Sequence, residues 1–282
     1  MTPQYEDDEP AARSSMPQVS FPRMTPVVKW LLVVNLCVFL AQFSLYLLSE
    51  NGTYATVLQK LALAPRAWTE GFPLLPAWQL VTYGFLHDIK NIGHIVGNML
   101  ILFFFGTMFE AIVGSRRFAI HYFAAMLAGA VLQLSMAFAG VTHAWAIGAS
   151  GACMGVMIAV ATLRPNQSVL VLFIPVLLKW LAIGILAIDF LGALMELKGE
   201  SDGTAHFVHL GGIAYGFLAV RFGLIYKDPV EVIERKRAVR AMVRENDDEA
   251  RMDQLLEKIH KEGMSSLSRS EKDFLKRMSS RR

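Results

Sequence analysis

From Met24 to Ile225 the chain is a succession of apolar runs parted by short polar breaks. A bilayer core of about 30 Å needs roughly 20 residues of helix to cross it. Six segments are predicted to do so: Val27 to Leu48, Ile92 to Val113, Phe118 to Phe138, Ala149 to Leu163, Val176 to Met195 and Ala205 to Ile225. The fourth is short for a full span, which a helix starting inside the membrane below a re-entrant loop explains. The expected fold is all-α: a polytopic bundle of six transmembrane helices, with a long interfacial first loop and a short helical cytoplasmic tail.

Charge supports this and orients the bundle. Only 18% of the 282 residues are charged, against roughly 25% in soluble domains, and they gather at the two ends. The net charge of +3 is small, so the basic residues inform topology rather than nucleic-acid binding. Arg116 and Arg117, Arg164, and Arg221 with Lys227 all fall on one side if both termini are cytoplasmic. The predicted organisation is a tail over residues 1–26, a membrane domain over 27–225 and a second tail over 226–282. The first tail is acidic at Glu6 to Glu9 and does not read as a secretory signal. The loop from Glu50 to Asn91 carries Trp68, Pro73, Pro76 and Trp78 and is expected to lie in the interface. In the second tail, Leu255, Leu256 and Ile259 are read as one apolar face, and Ser268 with Glu271 as a capping box. Cys37 and Cys153 sit in apolar runs and form no disulfide or metal-ligand pattern.

Polar residues inside spans are costly and mark function by default. Span two carries His94 and Asn98, four apart and so on one face. Span four opens Gly148-Ala149-Ser150-Gly151-Ala152, with Gly155 one turn on; span five carries Asp189; span six carries His206, His209, Gly212 and Gly216. Asn98 and His209 fall roughly 6 to 9 Å below the outer end of their helices. Ser150 opens the fourth helix on the same side. Gly151 with Gly155, and Gly212 with Gly216, are small-residue faces that let two helices approach closely. If those faces meet, Ser150 and His209 come within hydrogen-bond range, as an activated serine requires. Singly, each residue has a plainer reading: Ser150 as a helix cap, His209 as a satisfied core histidine, Asn98 as a bridge between helices.

Together these residues resemble the rhomboid family of intramembrane serine proteases. The motifs stand in order: His94-x-x-x-Asn98, Gly148-Ala149-Ser150-Gly151, and Ala205-His206-Phe207-Val208-His209-Leu210-Gly211-Gly212. Glu110, Gly114 and Arg117-Phe118 look like the family's turn after span two, and Trp78 with Phe85-Leu86-His87 like its first loop. One departure is Trp78-Gln79 where the family often has Trp-Arg, a difference confined to a loop contact. The resemblance implies an endopeptidase acting through an acyl-enzyme, with Ser150 as nucleophile and His209 as base. It implies a dyad with no third acid, and an oxyanion hole of His94, Asn98 and the Ser150 N–H. His206 is read as structural or water-contacting.

No cofactor and no metal are expected. Partners would be transmembrane protein substrates and membrane lipid, not nucleic acid. A metalloprotease would need His-Glu-x-x-His, which is missing, and an intramembrane aspartyl protease needs two buried aspartates. A transporter would carry inverted repeats. A catalytically inactive rhomboid-like binding protein typically lacks the serine or the histidine, and both are kept here. The expected setting is a bacterial cell inner membrane, multi-pass, with the site opening to the outer (periplasmic or extracellular) side.

Overall fold

A computed structural model describes residues 23–49, 52–70, 75–171 and 174–279. The acidic N-terminal segment and Pro73 lie outside the described residues. The chain divides into two compact units, one ending at Tyr226 and one covering Lys227–Arg282.

In the first unit, α1 (Pro26–Leu48) precedes three short helices, α2 (Thr53–Leu61), α3 (Pro65–Thr69) and α4 (Gln79–Thr82). Next come α5 (Ile92–Ile101) and α6 (Thr107–Val113), joined without a break by a π turn over Leu102–Gly106. Then follow α7 (Ser115–Phe138), α8 (Ser150–Leu163), a hairpin of β1 (Ser168–Val171) and β2 (Ile174–Leu177), α9 (Leu178–Leu197) and α10 (His206–Arg221).

Among the described residues, four helices are long and apolar enough to cross a membrane: α1, the continuous α5–α6 rod, α7 and α9. The helices α8 and α10 have 14 and 16 residues, or about 21 and 24 Å at 1.5 Å per residue, short of a full hydrocarbon core. They are the inner helices. Residues around the whole circumference of α8 are buried, from Gly151 through Val156 and Met157 to Ala161, as expected of a helix apolar on every side. By contrast α1 and α9 expose Trp30, Leu36, Leu40, Ile183, Ile188 and Leu191. Such a display of apolar side chains on long helices suits lipid rather than water.

Two local features differ from the all-α expectation. Span five starts not at Val176 but after an antiparallel hairpin pairing Ser168 with Leu177 and Val171 with Ile174. Half of its strand residues are β-branched (Val169, Val171, Ile174 and Val176), and Pro175 is tolerated because both strands of a two-stranded hairpin are edges. The long loop is also more structured than a plain interfacial segment. Buried Gln79 accepts from the Ala64 N–H (3.2 Å) and the Trp68 indole (3.1 Å) and donates to the carbonyls of Gln59 and Lys60. The amide at this departure from the family pattern is therefore the stitch of the loop.

Helix starts are secured by a buried acid. Glu110 accepts from Thr25 Oγ1 (2.5 Å), from the Val27 and Val28 N–H groups (3.0 Å each) and from Ser115 Oγ (2.6 Å). One carboxylate thus caps the N-terminus of α1, where negative charge is favoured, and ties down the start of α7. Between α6 and α7 the chain turns at Gly114 with φ +85°, a conformation that favours glycine.

The second unit contains α11 (Pro229–Glu262) and α12 (Arg269–Ser279). Leu255, Leu267 and Phe274 form its small core, with Met252 and Ile259 against it. Leu256 does not share that face and is exposed, because residue i+1 lies about 100° round the helix while i+4 stays in line. The Ser268 N–H donates to Glu271 Oε2 at 2.7 Å and the Glu271 N–H to Ser268 Oγ at 3.4 Å, a reciprocal cap on α12. That cap and Lys258 hold the Glu271 carboxyl down at about 2.

Candidate active site

Ser150 is the first residue of α8, and the turn before it is held on several sides. The Gly148 N–H donates to the Tyr83 carbonyl at 2.9 Å, and Leu63 and Ala146 exchange two backbone hydrogen bonds at 3.0 Å. Gln133 Nε2 donates to the Ala144 carbonyl at 3.0 Å. Gly148 has φ +118°, where a side chain would be strained, and a Cβ there would lie 2.6 Å from His94 Nε2. Glycine is required here by backbone and by space alike.

His209 is brought to Ser150 by the packing of α10 on α8. A methyl group on Gly212 would overlap the Gly151 carbonyl, and one on Gly216 would overlap that of Gly155. A Cβ on Gly155 would lie 2.9 Å from the Gly212 carbonyl. The four glycines thus let two backbones touch. At the open end of this seam, His209 Nε2 lies 2.7 Å from Ser150 Oγ. Both side chains are partly buried.

The other ring nitrogen has a partner the sequence did not assign. His209 Nδ1 lies 2.7 Å from Asp189 Oδ1. Asp189 is 4% exposed and sits on the face of α9 turned to α10. The same oxygen lies 2.9 Å from His206 Nδ1, and His206 Nε2 lies 3.3 Å from Asp202 Oδ2. The expectation of a serine–histidine pair with no third acid is therefore corrected: Asp189 stands at the far nitrogen of His209. His206, expected to be structural or water-contacting, is the second hydrogen-bond partner of that acid. Gly192 leaves the room, since a side chain there would collide with the His206 ring. The signal in the sequence was a single acid in an apolar span, seen but not connectable across 20 residues. Asp202 went unnoticed, although it stands four residues before His206.

Among the described residues, Asp189, His206 and His209 also form a set that could hold a metal, with ligand atoms within 4.8 Å of one another. Metal binding and base chemistry exclude each other at His209. A metal on Nδ1 puts the ring proton on Nε2, which then has no lone pair for the serine hydroxyl. Outside the helices, Asp202 is exposed, and the Thr204 N–H (2.8 Å) together with His206 lowers its carboxyl below the usual range.

His94 and Asn98 stand on the other side of the Gly148 turn. The Asp88 N–H donates to His94 Nδ1 at 3.3 Å, so the neutral ring carries its proton on Nε2, the atom facing the turn. Asn98 Nδ2 donates one hydrogen to the His94 carbonyl at 2.9 Å and would lie 3.6 Å from a Cβ on Gly148. Its second amide hydrogen is left for another acceptor. The leading N–H groups of α8 have no partner within their helix and carry its positive dipole end.

Residues 76–226 match the Rhomboid domain family, and residues 243–281 match a family of unknown function, DUF6576. Among curated proteins, the chain is similar to the presenilin-associated rhomboid-like protein, mitochondrial, of Homo sapiens. The two are 30% identical over 145 residues, covering 48% of this chain and 36% of that one. The Rattus norvegicus counterpart is 30% identical over 144 residues, with the same shares. RHOMBOID-like protein 12, mitochondrial, of Arabidopsis thaliana is 33% identical over 161 residues, covering 50% of this chain and 44% of that one. The matched region thus spans well under half the length of these relatives. Their mitochondrial assignment overturns the expected bacterial inner membrane.

Proposed function

The chain belongs to the rhomboid family, and from that premise we propose that it is an intramembrane serine endopeptidase cutting peptide bonds in or near the transmembrane segments of other proteins. The reading rests on one observation above all. A serine hydroxyl and a histidine nitrogen, 59 residues apart in sequence, lie 2.7 Å apart at the end of a glycine-lined helix contact. A serine hydroxyl is a weak nucleophile until a base at hydrogen-bond distance takes its proton.

In this mechanism Ser150 Oγ attacks the scissile carbonyl while its proton passes to His209 Nε2. The oxyanion accepts hydrogen bonds from His94 Nε2–H, the second Asn98 amide hydrogen and the Ser150 N–H. Collapse of the tetrahedral centre breaks the C–N bond, and the proton on His209 goes to the leaving amine. Water then takes the place of Ser150 in a second round, releasing the acid and restoring the hydroxyl.

The membrane domain over 27–225 would carry all of this as six helices: α1, the α5–α6 rod, α7, α8, α9 and α10. The shortness of α8 and α10 supports a site below the membrane surface that water reaches from one side. Substrate would come sideways from lipid past α9, whose exposed apolar face supports a gating role. The second unit would be an appendage outside the bilayer.

A second reading is a rhomboid relative that binds membrane proteins without cutting them. The relatives' names, rhomboid-like and presenilin-associated, support it. Labelling of the detergent-purified protein by a fluorophosphonate probe separates the two. Covalent labelling that disappears in Ser150→Ala and His209→Ala is expected for the peptidase. Labelling that persists in Ser150→Ala sinks the nucleophile, and an unlabelled native protein favours the binding reading.

A further inference from the structure

We infer that Asp189 is a positioning residue for His209, that it makes the Ser150–His209 pair a three-membered relay, and that His206 holds Asp189 in place. The inference rests on the peptidase reading above and extends it to a third helix, α9.

The geometry is a line of short contacts. Ser150 Oγ meets His209 Nε2 at 2.7 Å, and His209 Nδ1 meets Asp189 Oδ1 at 2.7 Å. An ionised carboxylate only accepts hydrogen bonds, so Nδ1 of His209 must carry the proton. That leaves the Nε2 lone pair towards the serine, which is the tautomer a base needs. When Nε2 takes the serine proton, the ring becomes a cation in hydrogen-bond contact with a buried carboxylate.

The acid is itself a built feature. Asp189 is 4% exposed and His206 5% exposed. A buried carboxylate persists only when paired and hydrogen-bonded, and here two imidazole Nδ1–H groups fill the two lone pairs of one oxygen. Those two bonds fix Asp189 from two successive turns of α10, so the carboxylate cannot swing away from His209. Gly192, one turn along α9, is the space in which the His206 ring sits. Asp202, in the loop before α10, meets the far nitrogen of that ring at 3.3 Å and carries the chain of contacts to an exposed carboxylate. The groups facing His209 are thus Asp189 from α9, Ser150 from α8, His94 from α5 and His206 from its own helix, with Asp202 behind the last.

The test uses the full-length protein in detergent and a fluorophosphonate probe, resolving the maximal labelling rate from the probe concentration at half-maximal rate. Asp189→Asn keeps the size and an oxygen acceptor but removes the charge. A fall of about 100-fold or more in the maximal rate is expected by the logic of a Ser-His-Asp relay, with half-saturation and melting temperature unchanged. A role in structure alone would move the last two. His206→Ala leaves the carboxylate in place and should give a rate between those of the native protein and Asp189→Asn. Native labelling rates in Asp189→Asn overturn the inference while leaving the peptidase reading intact. If Asp189→Asn does not fold, a native rate in His206→Ala overturns it. A native protein that is never labelled at Ser150 removes the peptidase reading and this inference together.

Discussion

Gly212 lies so close to Gly151 that a methyl group on the first would overlap the second's carbonyl oxygen. The contact is backbone against backbone, three residues past His209 and one past Ser150. It sets the distance between the Ser150 and His209 side chains as a pin sets a hinge.

Gly212→Ala should therefore act on structure and chemistry at once. Overpacking in a tight interior costs about 1–3 kcal/mol, and relief can come only by parting α8 from α10. A lower unfolding midpoint in detergent is expected, together with labelling at Ser150 reduced by more than the loss of folded protein accounts for. Gly184→Ala is the control, because nothing lies within 4 Å of a Cβ there. Equal effects from the two substitutions would show that the close approach does not matter.

Asn98→Ala should leave the fold intact and slow turnover. Its amide keeps one hydrogen for the His94 carbonyl and, in the proposed mechanism, would offer the other to the oxyanion. Loss of one such donor costs roughly 10²-fold or more in rate, and less where His94 and the Ser150 N–H share the load. The measurement is single-turnover cleavage of a model transmembrane substrate. Unchanged turnover would leave Asn98 as a helix bridge only.

Glu110→Gln probes the cap on α1. The carboxylate accepts four hydrogen bonds from two helix starts. The amide removes the charge and leaves fewer acceptor sites. A loss of about 1–3 kcal/mol is expected from the weakened charged hydrogen bonds, read as a lower melting temperature. Probe labelling per folded molecule should stay near native, since Glu110 is remote from the site.

The second unit should respond to acid through Glu271. Its carboxyl is lowered from 4.5 to about 2, chiefly by the Ser268 N–H. A depressed carboxyl contributes stability above its unfolded value and loses it as pH falls through its folded one. The order of α12 should therefore be independent of pH above about 5 and decline between 4.5 and about 2. Amide exchange of residues 269–279 across that range is the readout. In Glu271→Gln the protection should be lower at neutral pH and flat on acidification.

Much of the fold was legible because membrane spans obey a local rule. A run of apolar side chains either meets lipid or packs in a core, and length alone separates the candidates. Thus α1, the α5–α6 rod, α7 and α9 start and stop close to their predicted positions. The hairpin before α9 was missed because two four-residue strands are too short to show a period of their own, and only their pairing defines them. Leu256 was misjudged because adjacent leucines look alike in composition, and only angle separates them.

The chain by itself determined the pieces: which segments are apolar, where the serine, the histidines and the glycines recur, and that span two sets His94 and Asn98 on one face. Periodicity and hydropathy are properties of a segment in its solvent, so a single sequence carries them. Only the tertiary structure decided that Asp189 meets His209 and that His206 shares it. How far α9 is rotated about its axis leaves its hydropathy unchanged, and a carboxylate there could have faced any neighbour. The packing of α9 on α10 settles it: a carboxylate buried away from water must be paired, and two imidazoles within reach pair it.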